Sequence, residues 1–354
     1  MKILFITNTI QTMSGASKIL RFVAERMARI YDDVSILTIL DSEILNPVEG
    51  CVIHTLGCRS GRKATWRIGA LSKIRKFVKN AKPDVICSFV SDACFMTRLA
   101  TLGLPVKVIS CDRGDPKADG FIWSKLSGWA YKRSDVCVFQ LEEVRDFFGE
   151  SKLKKSYIIP NPFVPFDIEP IKFEDRSKTI VSAGRFTDQK GFDLLIKAFS
   201  EVKKKHPEYS LTIYGDGSEY QDYLSLVESL DLKNDVYLPG FSKDVPNAIK
   251  DAGIFCLPSR YEGIPNALIE AMSLAIPTVA ADCSPGGARF LTDDGKRGLL
   301  VPRNDSAAIA EGIIKLIEDP ELAKILGDEG LAVRTLFSPD RIASLWGEVF
   351  SSLS

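Results

Sequence analysis

Two glutamates eight residues apart, Glu262 and Glu270, flank a Gly-Ile-Pro-Asn turn in the stretch "SRYEGIPNALIEAM" (259–272). The preceding "IFCLPS" is a short apolar run that reads as a buried strand. The following "NALIEAMSLA" is rich in helix formers, and Pro265 suits a first helical position because its missing N–H would be unpaired there anyway. The stretch is therefore strand, tight turn, helix, with Glu262 in the turn and Glu270 about one helical turn further in. A helix start carries free N–H groups and a partial positive charge that favour a phosphate. Gly263, Ile264, Pro265 and Asn266 make up that start. Taken alone, the pattern reads better as a loop glutamate followed by a solvated helix glutamate.

Two further segments of the second half follow strands. "SAGRFTDQKGFD" (182–193) sets Arg185 and Lys190 five apart in a polar turn between Gly184 and Gly191. An arginine fork and a lysine point charge in one loop at a strand end form a diphosphate clamp. Lys190 alone would read as a surface lysine. "LPGFSKDVPN" (238–247) places Phe241 and Ser242 beyond a glycine; Phe241 is either the wall for a base or ordinary core. With Glu270 accepting from ribose hydroxyls, the three segments describe a nucleoside diphosphate held by the second half of the chain.

Other chemistries are poorly represented. "GDGSEY" (215–220) begins as G-x-G but has Tyr220 where a third glycine belongs, and no G-x-x-x-x-G-K-[ST] occurs. No two aspartates stand at i and i+2, so a D-x-D metal clamp is absent. The two histidines, His54 and His206, do not fall where a general base is expected. Eight cysteines form no C-x-x-C pair, and several sit inside apolar runs, so neither a zinc site nor a metal ligand set is expected.

These residues need elements to position them. Of the 354 residues, 45% are hydrophobic and 26% charged, an ordinary globular balance at a length that favours two domains. Apolar runs alternate with amphipathic stretches throughout: "KILFIT", "VSILTIL", "VIHTLG", "DVICSFV", "VKVISC", "VCVFQ" and "YIIP", then "TIVSAGR", "SLTIYGDG", "VYLPGF", "IFCLPS", "PTVAAD" and "GLLVP". Such alternation predicts parallel sheets covered by helices on both faces. "PNPFVPFDIEPIKFEDRSK" (160–178), with four prolines, reads as the linker. The expected fold is α/β, two Rossmann-like domains whose parallel sheets face each other across a cleft. Residues 1–165 carry 25 Lys and Arg against 16 Asp and Glu; the remainder carries 21 against 30. A basic first half and an acidic second half imply different partners. The opening "MKILFIT" lacks a secretory pattern and no apolar run approaches membrane-spanning length, so a cytoplasmic location is expected.

"GRFTDQKG", "YGDGSEY", "LPGF" and above all "EGIPNALIEAMSLAIPTVAAD" resemble the retaining glycosyltransferases of family 4, which have the GT-B fold. The likeness covers nearly the whole chain and is strongest over 180–302. It implies that Arg185 and Lys190 bind the donor diphosphate, that Glu262 faces the donor sugar, and that Glu270 holds the ribose. It implies no bound metal and no cofactor. It also implies an acceptor-binding domain at 1–165, joined by a returning helix at 338–354, and a donor-binding domain at 166–337. Two places depart from the family. Its Gly-Gly loop is here "MSGASK" (13–18), with Ser14 for one glycine and Gly15 retained. Its first-domain histidine is replaced in "ISCDRGDP" (109–116), where Asp112 and Arg113 lie in a run similar to the S-x-R-x-D-P pattern of members that build surface or lipid-linked glycans, with one residue more between Ser110 and Arg113. Asp112 either orients the acceptor or caps a turn.

The resemblance implies a retaining hexosyltransferase that moves a hexose or N-acetylhexosamine from a UDP-linked sugar to a glycan or polyprenyl-diphosphate-linked acceptor. The alternatives are a GT-B sugar-nucleotide epimerase and a non-catalytic partner in glycan assembly. Nucleic acid is not among the expected partners. Residues 59–82, "RSGRKATWRIGALSKIRKFVKNAK", hold nine basic residues and no acidic one, with Ile68, Leu71, Ile74 and Val78 at helical spacing. That run predicts either a peripheral contact with an anionic membrane or a helix docked on the sheet with a basic outer face.

Overall fold

The computed structural model describes residues 1–10, 15–41, 47–59, 65–118 and 120–353. The chain divides into two units, Met1–Pro162 together with Asp340–Ser354, and Phe163–Pro339.

Unit 1 is built on seven strands, β1 (Lys2–Thr7), β2 (Asp33–Leu40), β3 (Val52–Cys58), β4 (Val85–Phe89), β5 (Lys107–Cys111), β6 (Val136–Phe139) and β7 (Ser156–Ile158). They pair in parallel in the order β3-β2-β1-β4-β5-β6-β7. Parallel neighbours require crossover connections, most of them helices here, which cover both faces of the sheet. That is why the central strands are nearly continuous apolar runs: every residue of β4 is buried, Ser88 included, whereas edge strand β3 is largely exposed.

Alternate residues of β1 feed opposite faces. Ile3 and Phe5 pack with Leu20, Val23 and Met27 of the helix Gly15–Ala28 and with Ile342, Trp346, Val349 and Phe350 of the final helix, Pro339–Ser351. Leu4 and Ile6 pack with Ala70, Ile74 and Val78 of the helix Thr65–Ala81.

Unit 2 has six strands, β8 (Thr179–Ala183), β9 (Ser210–Tyr214), β10 (Val236–Gly240), β11 (Ile254–Leu257), β12 (Thr278–Asp282) and β13 (Leu299–Pro302). They are parallel in the order β10-β9-β8-β11-β12-β13. In both sheets the winding reverses once, between β1 and β4 and between β8 and β11. Those reversals are the topological switch points, outside whose carboxyl ends ligands bind in such sheets.

The proline-rich segment 160–178 contains one 3₁₀ turn, Phe173–Asp175, and no strand or α-helix. It is nonetheless tied down at both ends. Asn161 is buried and accepts a hydrogen bond from Gln140 Nε2 at 2.7 Å. Arg176 donates to the carbonyls of Lys250, Ala252 and Leu274.

Candidate functional site

Strands β8 and β11 are neighbours in the sheet although about 70 residues separate them, with Ile180 opposite Ile254 and Val181 opposite Phe255. A buried hydrogen bond from Ser182 Oγ to the Cys256 carbonyl, 2.6 Å, joins them near their carboxyl ends. The loop after β8 therefore meets the turn after β11 at the switch point of unit 2.

Lys190 closes a single 3₁₀ turn, Asp188–Lys190, and Gly191 follows with φ +64°. A Cβ on Gly191 would lie 2.3 Å from the Pro258 carbonyl oxygen, so only glycine lets the loop approach the β11 exit this closely. Lys190 Nζ forms an ion pair with Glu262 Oε1, and Ser259 Oγ donates to the same oxygen at 3.2 Å. Glu262 is only 8% exposed, which makes its pairing decisive, since an uncompensated charge at that depth is strongly disfavoured. The Glu262 backbone N–H donates to the Ser284 carbonyl at 2.9 Å. Gly287 allows this neighbouring loop to press on the turn, because a Cβ there would overlap the Gly263 carbonyl oxygen. Arg185, in the same β8 loop, is exposed and forms no ion pair among the described residues.

A second ion pair fastens the two segments together. Arg260 grips Asp193 with both terminal nitrogens at 2.9 and 3.0 Å, and donates to the Asp188 carbonyl at 2.6 Å. Its backbone N–H donates to the Gln189 carbonyl at 2.8 Å, while Gln189 Nε2 donates to the Tyr261 carbonyl at 2.9 Å. Burial pushes the Asp193 carboxyl up, but the Arg260 fork, with Lys197 nearby, outweighs it and holds the group below the usual carboxylate range. Sequence reasoning missed Arg260 and Asp193 as a pair. Both lie inside the stretches it singled out, and an arginine flanking the Glu262 turn was the available signal.

Nearby Cys283 supplies no nucleophile: burial, then the Glu262 charge, pushes its thiol up to about 12.

The helix after the Glu262 turn spans Asn266–Ser273, one residue later than the sequence suggests. Pro265 has ψ 110°, an extended value, and acts as the cap whose carbonyl accepts from Leu268 and Ile269. Ile264 and Pro265 are buried, Gly263 and Asn266 half-buried. Glu270 is half-buried on the fifth residue of that helix, and its backbone carbonyl accepts from Ser273 Oγ at 2.7 Å. Phe241, just past β10, is 50% exposed, which removes the reading of it as core. Ser242 Oγ accepts from the Asp244 N–H at 3.2 Å. Gly184, directly after β8, is half-buried beneath the Lys190 side chain.

In unit 1, Gly15 is exposed and begins the helix Gly15–Ala28; Met13 and Ser14 lie outside the described residues. Asp112 and Arg113 follow β5. One Asp112 oxygen accepts from Tyr131 OH at 2.8 Å and the other from the Gly114 N–H at 3.0 Å, so the carboxylate does cap its turn. Burial, then the Asp112 charge, pushes the Tyr131 hydroxyl up and keeps it protonated as the donor. Arg113 donates from Nη1 to the Ile159 carbonyl at 2.8 Å.

The basic helix is more committed to the fold than its sequence suggests. Ile74 and Val78 are core, and Leu71 packs against that core. Arg67 pairs with Asp92 at 3.3 Å between the rings of Trp66 and Trp123, 4.7 and 4.6 Å away. Arg75 donates to the Ala100 and Leu102 carbonyls, and Lys73 to that of Leu56. Arg62 and Lys63 lie outside the described residues. Ile68, Phe121 and Ile122 remain exposed around the Arg67 stack, and Lys125 lies over the Phe121 ring at 4.0 Å.

With this geometry in place, the comparisons identify the fold and its class. The family described as glycosyl transferases group 1 matches residues 164–332. The matched residues fall within unit 2 and make up just under half of the chain. An uncharacterized glycosyltransferase of Haemophilus influenzae is 27% identical over 352 residues, 98% of each chain. The amylovoran biosynthesis glycosyltransferase AmsD of Erwinia amylovora is 23% identical over 362 residues, 99% of each chain. Among solved structures, Anabaena Alr3699/HepE in complex with UDP-glucose superimposes with a TM-score of 0.81 at 19% identity, covering 99% of both chains. That likeness is one of fold, two parallel α/β units of the GT-B kind. The Lys190–Glu262 pair lies within the residues that resemble the group 1 family.

Proposed function

We propose that the protein is a retaining hexosyltransferase of family 4 that uses a UDP-linked sugar, with the donor on unit 2 and the acceptor on unit 1. The observation that carries this reading is the Lys190–Glu262 pair at the β8/β11 switch point, with the uncommitted cation Arg185 in the same loop. The donor diphosphate takes Lys190 and Arg185, which stabilise the charge that grows on the leaving group. Glu262, released from Lys190, faces the sugar, and Glu270 accepts from the ribose. The departing diphosphate assists removal of the acceptor hydroxyl proton on the face it leaves. The UDP-glucose complex of HepE supports the choice of UDP, and the role of AmsD in amylovoran biosynthesis supports a glycan acceptor.

A lipid-linked acceptor at an anionic membrane surface belongs to the same proposal. The exposed Ile68, Phe121 and Ile122 around a basic aromatic stack support it, because apolar side chains beside cations suit a headgroup boundary. No helix among the described residues is long and apolar enough to cross a membrane.

The test is a panel of UDP-, GDP- and ADP-sugars incubated with bacterial glycan acceptors, following nucleoside diphosphate release and the anomeric configuration of the product. Release with one UDP-sugar and a product that keeps the donor configuration is expected. An inverted product overturns the retaining mechanism, and conversion of the donor without any acceptor points to an epimerase.

A further inference from the structure

Arg113 is held in an unusual way for a half-buried cation. Its Nη1 donates to the Ile159 carbonyl at 2.8 Å, and its guanidinium centre lies 5.4 Å from the Trp346 ring and 5.8 Å from the Phe89 ring. Those rings are themselves stacked, 5.8 Å between centroids. Nε and Nη2 are shielded from solvent and have no hydrogen-bond partner among the described residues. These two nitrogens form one edge of the guanidinium, the fork that binds two oxygens of a single oxyanion side by side. The neighbouring carboxylate does not supply them: the two oxygens of Asp112 accept from Tyr131 and Gly114. Trp346 Nε1, on the fully buried ring beneath the guanidinium, is likewise without a partner among the described residues.

Donors left unpaired in an apolar shell are strongly disfavoured, and here three such nitrogens, two of them on a cation, belong to one stacked assembly. Burial lowers the Arg113 pKa from its ordinary value, and the opposing charge of Asp112 does not outweigh it. The assembly stands at the carboxyl edge of the unit 1 sheet, since Arg113 follows β5 and Ile159 follows β7.

We propose that the Nε/Nη2 fork of Arg113, seated on Trp346, is an oxyanion subsite of unit 1 that binds a singly charged group on the acceptor, a carboxylate or a phosphodiester. One cation with the buried Asp112 carboxylate beside it tolerates at most one added negative charge, which disfavours a phosphate monoester dianion. A uronic acid and a phosphodiester-linked saccharide both present the required pair of oxygens. The assignment of this anion to an acceptor rests on the proposed transferase reading; the binding of the anion does not.

The experiment uses the full chain and needs no turnover. Sodium D-glucuronate, sodium dimethyl phosphate and neutral methyl glucoside are titrated at constant ionic strength, and binding is read by calorimetry and thermal shift. Saturable binding of at least one of the two anions, and none of the glucoside, is expected; the tighter anion names the chemistry. Arg113→Lys keeps the charge but loses the fork, and should weaken that binding by at least about tenfold. Trp346→Phe keeps the ring but loses the indole N–H, and should weaken it severalfold. UDP is titrated in parallel and should bind the wild type and Arg113→Lys alike. Absence of saturable anion binding by the wild type, or equal binding by Arg113→Lys, overturns the subsite whatever UDP does. Failure of UDP to bind the wild type counts against the transferase reading alone.

Discussion

Lys190 and Glu262 neutralise each other in a buried turn, and in the proposed reading a donor that claims Lys190 leaves Glu262 facing a polar group such as a sugar hydroxyl. This exchange gives the two cations and the two glutamates separable signatures. Lys190→Ala and Arg185→Ala should each lower turnover on the order of 100-fold, as removal of charge-stabilising donors does elsewhere. Wild-type rates in both folded variants would remove the clamp. Glu270→Ala should weaken binding of free UDP, because ribose is common to donor and product. Glu262→Ala should spare UDP binding and damage transfer. Calorimetry with UDP separates them, and equal losses of UDP affinity would contradict the assigned roles.

The element that sets this geometry is the double attachment of the β8 loop to the β11 exit by Arg260. Its fork on Asp193 is planar and bidentate, which a lysine cannot reproduce. Arg260→Lys is therefore expected to reduce turnover more than it reduces UDP affinity, with a stability loss of about 1–3 kcal/mol in urea. Unchanged kinetics would show that the loop keeps its place without the fork. The same pair sets a pH dependence. Asp193 is held below the usual carboxylate range, so its contribution is fully present above the unfolded carboxylate value, near 4. It is lost as pH falls through the lower, folded value. Asp193→Asn should accordingly show a shallower acid loss of stability than the wild type in pH-jump unfolding curves.

At the scale of the whole molecule, unit 1 depends on a helix that is the last in the sequence. Trp346 and Phe350 are fully buried against Phe5 and Phe89, so Trp346→Ala should cost about 3–5 kcal/mol and expose the sheet face that helix covers. Urea unfolding followed by the remaining tryptophans would read the loss, and a change below 1 kcal/mol would contradict the packing. The uneven charge of the two halves has its own consequence. The proposed lipid contact uses the exposed Ile68, Phe121 and Ile122, so Phe121→Asp with Ile122→Asp should abolish co-sedimentation with anionic vesicles. Equal, negligible binding of the wild type to anionic and neutral vesicles would point to a soluble acceptor instead.

The sequence by itself determined the kind of fold. Each of the thirteen runs forms a strand; the central ones are nearly continuously apolar because a parallel sheet buries them on both faces, and helices follow most of them. It also marked the segments that carry Lys190 and Glu262. What it could not state is which strands become neighbours. Only the pairing of β8 with β11 brings Lys190 to Glu262 and Arg260 to Asp193 across intervals of about 70 residues. Chain order likewise hides that Arg113 rests on Trp346, more than 200 residues later, and that Arg67 and Arg75 are spent on Asp92 and on helix-end carbonyls. Periodicity reports how one element faces its sheet; it carries no term for the partner that the sheet order supplies.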